Sequence, residues 1–96
     1  MEAITLFTAY NEEDGEEVFA DFNLTLVKEA ARAHERIRED CKVKLRAETL
    51  YADGTEIVEY SDGTVAKSQG HEKQFVAAKA ERPYCVRRIT KDHRFF

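Results

Sequence analysis

Two Tyr-x-Asp-Gly-Thr units, which begin at Tyr51 and Tyr60 and stand nine residues apart, constrain the fold of this chain more than any other feature. An Asp-Gly pair between β-branched and aromatic residues is the strongest short-range signal for a β-hairpin. The two units therefore predict a three-stranded antiparallel meander over residues 43–68. Asp53 and Asp62 each stand alone, whereas a calcium loop needs several oxygen ligands at alternating positions, so both are interpreted as turn residues.

The register of this meander depends on the length of its loops. In the first hairpin, a two-residue loop places Thr49 opposite Val58. In the second, it places Tyr60 opposite Val65. A bulged turn would shift the register by one residue and exchange the two faces. With two-residue loops, the face that packs on a helix carries Val43, Leu45, Ala47, Thr49, Val58, Tyr60 and Val65. The other face carries Lys44, Arg46, Glu48, Glu59, Ala66 and Ser68, with Leu50 opposite Ile57.

Periodicity and chain breakers predict the elements outside the meander. Residues 3–10 are β-prone, with apolar side chains on both faces, and predict a first strand. Residues 18–22 alternate and predict a second strand, with an irregular lead into a helix as the alternative. Residues 71–80 are compatible with a short helix or with a loop and a strand. Pro83 ends that segment, residues 84–90 predict a last strand, and residues 91–96 form a tail.

The segment 24–40 is rich in helix-forming residues and predicts one long helix. Asn23 or Thr25 is its predicted N-cap, because either side chain can accept a hydrogen bond from the first turn. Together the elements predict an α+β fold over 1–96, with one long helix packed on an antiparallel sheet of four to six strands. The predicted order is β-β-α-β-β-β-(α)-β, in a single domain. The helix residues predicted to form one apolar, buried stripe are Leu26, Ala30, Ala33, Ile37 and Cys41, joined by Val27 and Ala31.

Composition favours a globular protein and excludes several other classes. Hydrophobic residues make up 43% of the chain and charged residues 35%, which is typical of a folded domain. No apolar run approaches the length of about 18 residues that a membrane span needs. The first residues lack the basic region of a signal peptide, so a cytoplasmic protein is expected. Two cysteines are too few for a disulfide framework, so free thiols are expected.

The residues that most often carry catalysis or metals do not form a recognisable set here. His34 and Cys41 lie seven positions apart on the predicted helix, but a zinc site needs four ligands with close paired spacings. Cys85 precedes two arginines, yet a thiol within a strand is the simpler interpretation. No phosphate-binding Gly-rich loop and no Gly-x-Ser-x-Gly motif is present. We therefore expect a protein that is not an enzyme and takes no metal or cofactor.

The charge of the chain is distributed unevenly. Residues 1–27 hold seven acidic residues and no Lys or Arg, whereas residues 28–96 hold all 15 basic residues and the other 12 acidic ones. Carboxylates on a rigid frame can imitate the phosphates of a nucleic acid and dock into a groove lined by Lys and Arg. The acidic segment is therefore the first candidate for a partner-binding site. Its residues are Glu12, Glu13, Asp14, Glu16, Glu17 and Asp21.

In its size, its Glu-Glu-Asp-Gly-Glu-Glu cluster at residues 12–17 and its lack of catalytic motifs, the chain resembles the phage-encoded anti-defence inhibitors, including the anti-CRISPR group. That group has no shared sequence signature, so the resemblance assigns no individual residue. It implies a non-enzymatic inhibitor, in the host cytoplasm, that binds a larger nucleoprotein complex and blocks its basic, nucleic-acid-binding groove.

Two other functions stay open from the sequence. The first is a small nucleic-acid-binding module, because basic residues alternate with aromatic ones near the C-terminus. The acidic pI of about 5.4 weighs against it. The second is a homodimeric structural or adaptor subunit that associates through a patch formed by Leu50 and Ile57 on the outer sheet face and by Phe95 and Phe96. The residues that would bind nucleic acid in the first of these two functions are Arg82, Arg87, Arg88, Lys91 and Arg94.

Overall fold

The computed structural model of the chain describes residues 1–89 and places an antiparallel sheet between two helices. The elements are β1 (Glu2–Asn11), β2 (Glu17–Asp21), α1 (Leu24–Ile37), β3 (Val43–Tyr51), β4 (Glu56–Tyr60), β5 (Val65–Ser68), α2 (Glu72–Glu81) and β6 (Arg87–Arg88), with a short 3-10 turn at Pro83–Cys85. This order confirms the predicted α+β architecture. It also resolves the segment after the meander as a second helix and residues 17–21 as a strand.

The sheet is centred on β1 and β3. Its strand order is β2-β1-β3-β4-β5, and every neighbouring pair is antiparallel. The short strand β6 pairs with β1 at Glu2 and Ala3, whereas β2 pairs with β1 from Phe7 to Tyr10. An irregularity between Ala9 and Tyr10 shifts the register of the β1–β2 hairpin by one residue near its tip. The β1–β2 hairpin therefore bends just before the connection between its two strands.

Helix α1 covers one face of the sheet and forms the main core. Phe7 and Ala9 of β1 and Ala47 of β3 pack against Val27 and Ala31 of α1, and all five side chains are buried. The small alanines on both surfaces allow the helix to lie close to the strands. The partly buried residues around this core are Val18, Leu24, Val43 and Leu45.

The N-cap of α1 confirms one of the two predicted candidates, whereas its predicted buried stripe is partly wrong. The Asn23 carboxamide accepts hydrogen bonds from the backbone N–H groups of Thr25 and Leu26. The helix faces the sheet through Val27 and Ala31, so Leu26 is 45% exposed and Ile37 is 82% exposed. Each residue turns a helix by about 100°, so the apolar residues at 26 and 30 form one stripe, and those at 27 and 31 form a second stripe beside it. The sheet covers only the second.

The predicted register of the meander is wrong by one residue in each hairpin. Tyr51 N–H donates to the Thr55 carbonyl at 2.8 Å and Gly54 N–H donates to the Tyr51 carbonyl at 3.0 Å, which closes a three-residue loop. The second turn repeats this pattern from Tyr60 to Thr64, with distances of 2.9 and 3.0 Å. An Asp-Gly pair serves a two-residue turn or a three-residue loop with glycine in the left-handed region. The chain uses the longer loop at both positions.

Because of these two shifts, β4 alone presents its side chains on the faces opposite to the predicted ones. Ile57 lies opposite Thr49 and Glu59 opposite Ala47, so Val58 and Tyr60 face away from α1. The second one-residue shift cancels the first, and Val65 on β5 returns to the face that was predicted for it. Leu50 and Ile57 consequently lie on opposite faces. The predicted self-association patch that combined them is therefore wrong, and its other part, Phe95 and Phe96, lies outside the described residues.

The aspartates of the two turns bond the backbone that follows them. The Asp53 carboxylate accepts from Thr55 N–H at 3.0 Å, and the Asp62 carboxylate accepts from Thr64 N–H at 2.9 Å. These hydrogen bonds favour the ionised carboxylates and hold the pKa of Asp53 and of Asp62 below the usual value. A lowered carboxyl pKa stabilises the fold above the unfolded-state pKa, and this contribution is lost as the pH falls through the folded-state value. Both aspartates therefore serve the turns, as predicted.

Helix α2 lies against the opposite face of the sheet. Ile4 points to that face and is 2% exposed, and Phe75 of α2 is buried as well. The Lys79 ammonium bonds the Glu2 carboxylate at 2.8 Å, which lowers the pKa of Glu2. The start of α2 is tied to the first turn of the meander, because His71 N–H donates to the Gly54 carbonyl at 2.9 Å. The two central strands, β1 and β3, thus have a helix on each side.

The predicted last strand over residues 84–90 is mostly wrong. Residues 83–85 form the 3-10 turn, in which Cys85 N–H donates to the Arg82 carbonyl and Val86 N–H donates to the Pro83 carbonyl. These bonds use the backbone N–H groups that a strand would need. Within residues 84–89, only Arg87 and Arg88 pair with β1. Thr90 and the tail 91–96 lie outside the described residues.

The two turn glycines provide a matched test of these loops. Gly54 has φ +90° and Gly63 has φ +95°, a region that costs a residue with a side chain about 1–2 kcal/mol. Among the described residues, a Cβ at Gly63 meets nothing within 4 Å, whereas a Cβ at Gly54 would strike the end of the Glu72 side chain. We expect Gly63→Ala to lower the free energy of unfolding by about 1–2 kcal/mol. Gly54→Ala should cost only a little more, because Glu72 is exposed and the end of its side chain can move aside.

Chemical denaturation of both variants measures this difference. Adding Glu72→Ala to Gly54→Ala should remove the excess cost, because that substitution takes away the atoms a Cβ would strike. A neutral Gly63→Ala would contradict the three-residue loop with a left-handed glycine.

Candidate functional site

The acidic loop, defined as residues 12–17, comprises the connection from β1 to β2 and the first residue of β2, and several hydrogen bonds close its backbone. Asn11 N–H donates to the Glu16 carbonyl at 2.8 Å, and Gly15 N–H donates to the Asn11 carbonyl at 2.9 Å. Gly15 has φ +74°, which lets the chain reverse within the loop. A further bond from Glu12 N–H to the Lys42 carbonyl, at 2.9 Å, ties the loop to the segment before β3.

Side chains of the hairpin reinforce this backbone. The Asn11 carboxamide accepts from Glu13 N–H at 2.9 Å, and the Asp14 carboxylate accepts from Glu16 N–H at 2.8 Å. Asn and Asp side chains commonly stabilise turns through such bonds to the backbone two residues ahead. One carboxylate of the cluster therefore has a structural role, and it helps to set the positions of the others.

The remaining carboxylates of the acidic loop are presented to solvent. All five acidic residues of the loop are exposed. Glu12 forms a salt bridge of 3.2 Å with Lys44, which raises the pKa of Lys44. Within residues 1–89, Glu13, Glu16 and Glu17 form no salt bridge. The hairpin thus holds three carboxylates whose charge no described basic residue neutralises at close range.

Aromatic packing supports the base of the hairpin on the sheet face away from α1. The rings of Tyr10 and Tyr60 meet edge to face, with centres 6.4 Å apart. The Arg46 guanidinium lies 5.2 Å from the centre of the Tyr10 ring and forms a salt bridge of 2.8 Å with Glu48. Such aromatic and cation–π pairs are each worth about 0.5–1.5 kcal/mol. They connect β1, β3 and β4 next to the acidic loop and anchor it to the sheet.

The fold brings further charges beside the acidic loop that sequence reasoning missed. The bond between Glu12 and Lys42 places the connection 38–42 against the hairpin, and Glu39 and Asp40 on that connection are exposed. Arg38 and Lys42 flank this second acidic pair. The predicted topology could have revealed this acidic pair, because the chain leaves α1 at the end of the sheet that carries the β1–β2 loop and begins β3 there. The uniformly acidic surface is therefore the hairpin tip itself.

Asp21, the sixth predicted residue, lies away from this tip. It pairs with Phe7 at the far end of β2, four residues from Glu17, which corresponds to about 13 Å along the strand. Its carboxylate accepts from Asn23 N–H at 2.8 Å and so shapes the entry into α1. Asp21 is half-buried and lines a different site. The structure thus brings five of the six predicted acidic residues together.

Asp21 and two of the predicted basic residues, Arg82 and Arg87, line a cleft of about 340 Å³ between the start of α1 and the 3-10 turn. The Arg82 guanidinium lies 5.8 Å from the centre of the Phe22 ring and bonds the Tyr84 hydroxyl. Arg87 donates to the Thr5 hydroxyl at 3.3 Å across the same cleft. The side chains that line the cleft are those of Thr5, Phe7, Asp21, Phe22, Asn23, Arg82, Tyr84, Cys85 and Arg87.

The predicted basic residues within residues 1–89 do not all lie on one surface. Arg87 pairs with Ala3 on the face of the sheet that α1 covers, whereas Arg88 pairs with Glu2 and turns to the face of α2. Lys91 and Arg94 lie outside the described residues. The alternating arginines of β6 therefore point to opposite sides of the sheet and cannot follow one phosphate backbone together.

Other chemistry is sparse in the part of the chain that the structure describes. Cys41 is buried and Cys85 is half-buried, and both are free thiols. No group of three or more His, Cys, Asp or Glu residues within residues 1–89 is placed to hold a metal ion. Among the described helices, none is both long and apolar enough to cross a membrane. Comparison with protein-family models, with curated proteins and with solved structures gives no match.

Proposed function

We propose that this chain is a non-enzymatic binding protein that docks its acidic loop into a basic, nucleic-acid-binding groove of a larger nucleoprotein complex and blocks that groove. The observation that carries the proposal is the acidic loop, in which a hydrogen-bonded backbone presents Glu13, Glu16 and Glu17 without a described salt bridge. Such an arrangement has the charge of a short stretch of nucleic acid on a folded frame. The proposal extends the resemblance to anti-CRISPR inhibitors.

The physical benefit of this arrangement lies in its fixed backbone. A flexible acidic peptide loses conformational freedom when it binds, whereas a loop closed by its own hydrogen bonds has lost most of it on folding. Carboxylates of one sign also steer the approach to a positively charged groove and raise the association rate at low salt. Docking onto the groove can therefore be fast without a large apolar interface.

A competition experiment tests this function. The purified protein serves as bait to isolate its partner from host cells, and the partner is then loaded with a fluorescently labelled oligonucleotide. We expect the protein to displace the oligonucleotide, so that fluorescence anisotropy falls towards the value of the free probe. Because the displacement depends on ionic contacts, it should weaken as the salt concentration rises.

The same probe without the partner distinguishes this function from direct nucleic-acid binding. The protein alone should leave the anisotropy of the oligonucleotide unchanged at low salt. Salt-dependent binding of the free probe would contradict the proposal and favour the nucleic-acid-binding module. A partner that holds the protein and the oligonucleotide simultaneously would also contradict it.

A further inference from the structure

Helix α1 carries a second apolar stripe that the described chain does not cover. Leu26, Ala30, Ala33 and Ile37 recur at spacings of 4, 3 and 4 residues, which is the spacing of a seam between two packed helices. Leu26 is 45% exposed and Ile37 is 82% exposed, and the two alanines between them are partly exposed. This exposed seam lies beside the line of Val27 and Ala31 that faces the sheet, so a second helix can reach it while α1 stays in place.

Opposite charges border the exposed seam. Glu29 and Arg36 lie next to it on the side away from the sheet, seven residues and so nearly two helical turns apart. Both are exposed, and neither forms a salt bridge within residues 1–89. Their spacing keeps them about 10 Å apart along the helix axis, too far to pair with one another within one copy.

An antiparallel copy of α1 matches both the seam and these charges. When the helix is reversed about a two-fold axis between Ala30 and Ala33, Leu26 meets Ile37 of the second copy. Ala30 then meets Ala33 of the second copy, and the small side chains let the helix axes approach closely. The same operation brings Glu29 to within about 3 Å, along the axis, of Arg36 of the second copy.

The two-fold symmetry repeats each of these contacts. Two Glu29–Arg36 pairs and two Leu26–Ile37 pairs form at once, because a two-fold interface uses the same patch on both copies. An in-register parallel pair would instead leave Glu29 and Arg36 of the two copies about 10 Å apart along the axis. The charges therefore select the antiparallel arrangement.

We propose that the exposed seam of α1 is a self-association surface, through which two copies of this chain pair as an antiparallel, two-fold symmetric helix pair. The occupant is a second copy because the pattern of apolar and charged residues is complementary to itself. The surface differs from the self-association patches expected from the sequence. It is also separate from the acidic loop, so it goes beyond the proposed inhibitory function. Four apolar residues per copy make a small interface, and the association is weak and reversible.

Sedimentation velocity over a concentration series up to about 1 mM, the weak end of specific association, tests this surface. The unaltered protein should shift from monomer to dimer across the series. Glu29→Arg and Arg36→Glu should each weaken dimerisation at least about tenfold, because each places like charges opposite one another. The double variant, with both charges exchanged, should return to within about threefold of the original affinity. Ile37→Asp should abolish the dimer.

Glu35→Arg provides the matched control, since Glu35 is exposed on α1 but faces away from the exposed seam. It should leave the dimer unchanged. Circular dichroism of each variant checks that α1 is intact, and the charge exchanges at exposed positions keep the test valid if Ile37→Asp fails to fold. A protein that stays monomeric at every concentration would overturn the proposal. So would a dimer that both single charge reversals leave unchanged, or a double variant no tighter than the singles.

Discussion

Replacement of Phe7 by alanine is expected to unfold the protein close to physiological temperature. Phe7 is 5% exposed and lies at the centre of the core between β1, β3 and α1. Truncation of a buried phenylalanine costs about 3–5 kcal/mol, because the apolar surface is lost and a cavity remains. Domains of this size are stable by only about 5–15 kcal/mol, and a chain of 96 residues buries too little surface to approach the upper end.

The expected result is a fall in the melting temperature of at least about 15 °C, measured by circular dichroism. Phe19→Ala is the matched control, because Phe19 lies on the neighbouring strand opposite Ala9 and is 37% exposed. It should lower the unfolding free energy by about 1 kcal/mol, as partly exposed sites usually do. Equal losses at the two positions would contradict the placement of the core on the α1 face of β1.

The order of the elements was predictable because strong local signals mark most of their boundaries. The two Asp-Gly turns separate β3, β4 and β5, and the Asn23 cap marks the start of α1. Glycine and aspartate at these turns meet conformational and hydrogen-bonding needs that few other residues meet. The sequence therefore predicted the sheet, the long helix and their succession, including the helix that the segment after the meander allowed.

The register was not predictable from the same signals. Asp-Gly satisfies a two-residue or a three-residue loop, and the packing of the sheet beyond the turn selects one of them. In this protein Ala52 is the first residue of one loop and Ser61 is the first residue of the other. The resulting one-residue change in strand register moves Val58 and Tyr60 to the face of the sheet opposite to the predicted one. The sequence of β4 does not distinguish the two registers, because both of its faces are partly apolar.

The rotation of α1 was uncertain for a related reason. Leu26 and Val27 are both apolar, so periodicity supports two adjacent stripes. The sheet offers room only for the stripe that contains Val27 and the small Ala31, next to Phe7 and Ala9 of β1. The sequence did locate the acidic loop, because five acidic residues around Gly15 form an evident turn. It could not show that Asp21 lies at the other end of β2.

Charge reversal at the acidic loop is expected to have the second large effect. Glu13→Lys with Glu16→Lys should weaken partner binding at least about a hundredfold, equivalent to about 3 kcal/mol, because attraction to a basic groove becomes repulsion. Both side chains are exposed, and within residues 1–89 neither forms a salt bridge. The backbone bonds of the hairpin do not depend on these two carboxylates, so the unfolding free energy should change by no more than about 0.5 kcal/mol.

A second double variant controls for net charge. Glu35→Lys with Glu81→Lys changes the charge of the chain by the same amount at two exposed positions outside the hairpin. If partner binding follows net charge alone, both double variants should weaken it equally. If the acidic loop is the docking surface, the control should bind like the unaltered protein to within about threefold, because solvent-exposed charges beyond a Debye length are largely screened.

The most direct test of the acidic loop as the docking surface is the affinity of these three proteins for the isolated partner, measured by surface plasmon resonance in one buffer. The proposal predicts that the unaltered protein and the Glu35/Glu81 control bind alike, while the Glu13/Glu16 variant loses binding by at least about a hundredfold. An unchanged affinity of the Glu13/Glu16 variant, with its fold intact by circular dichroism, would contradict it.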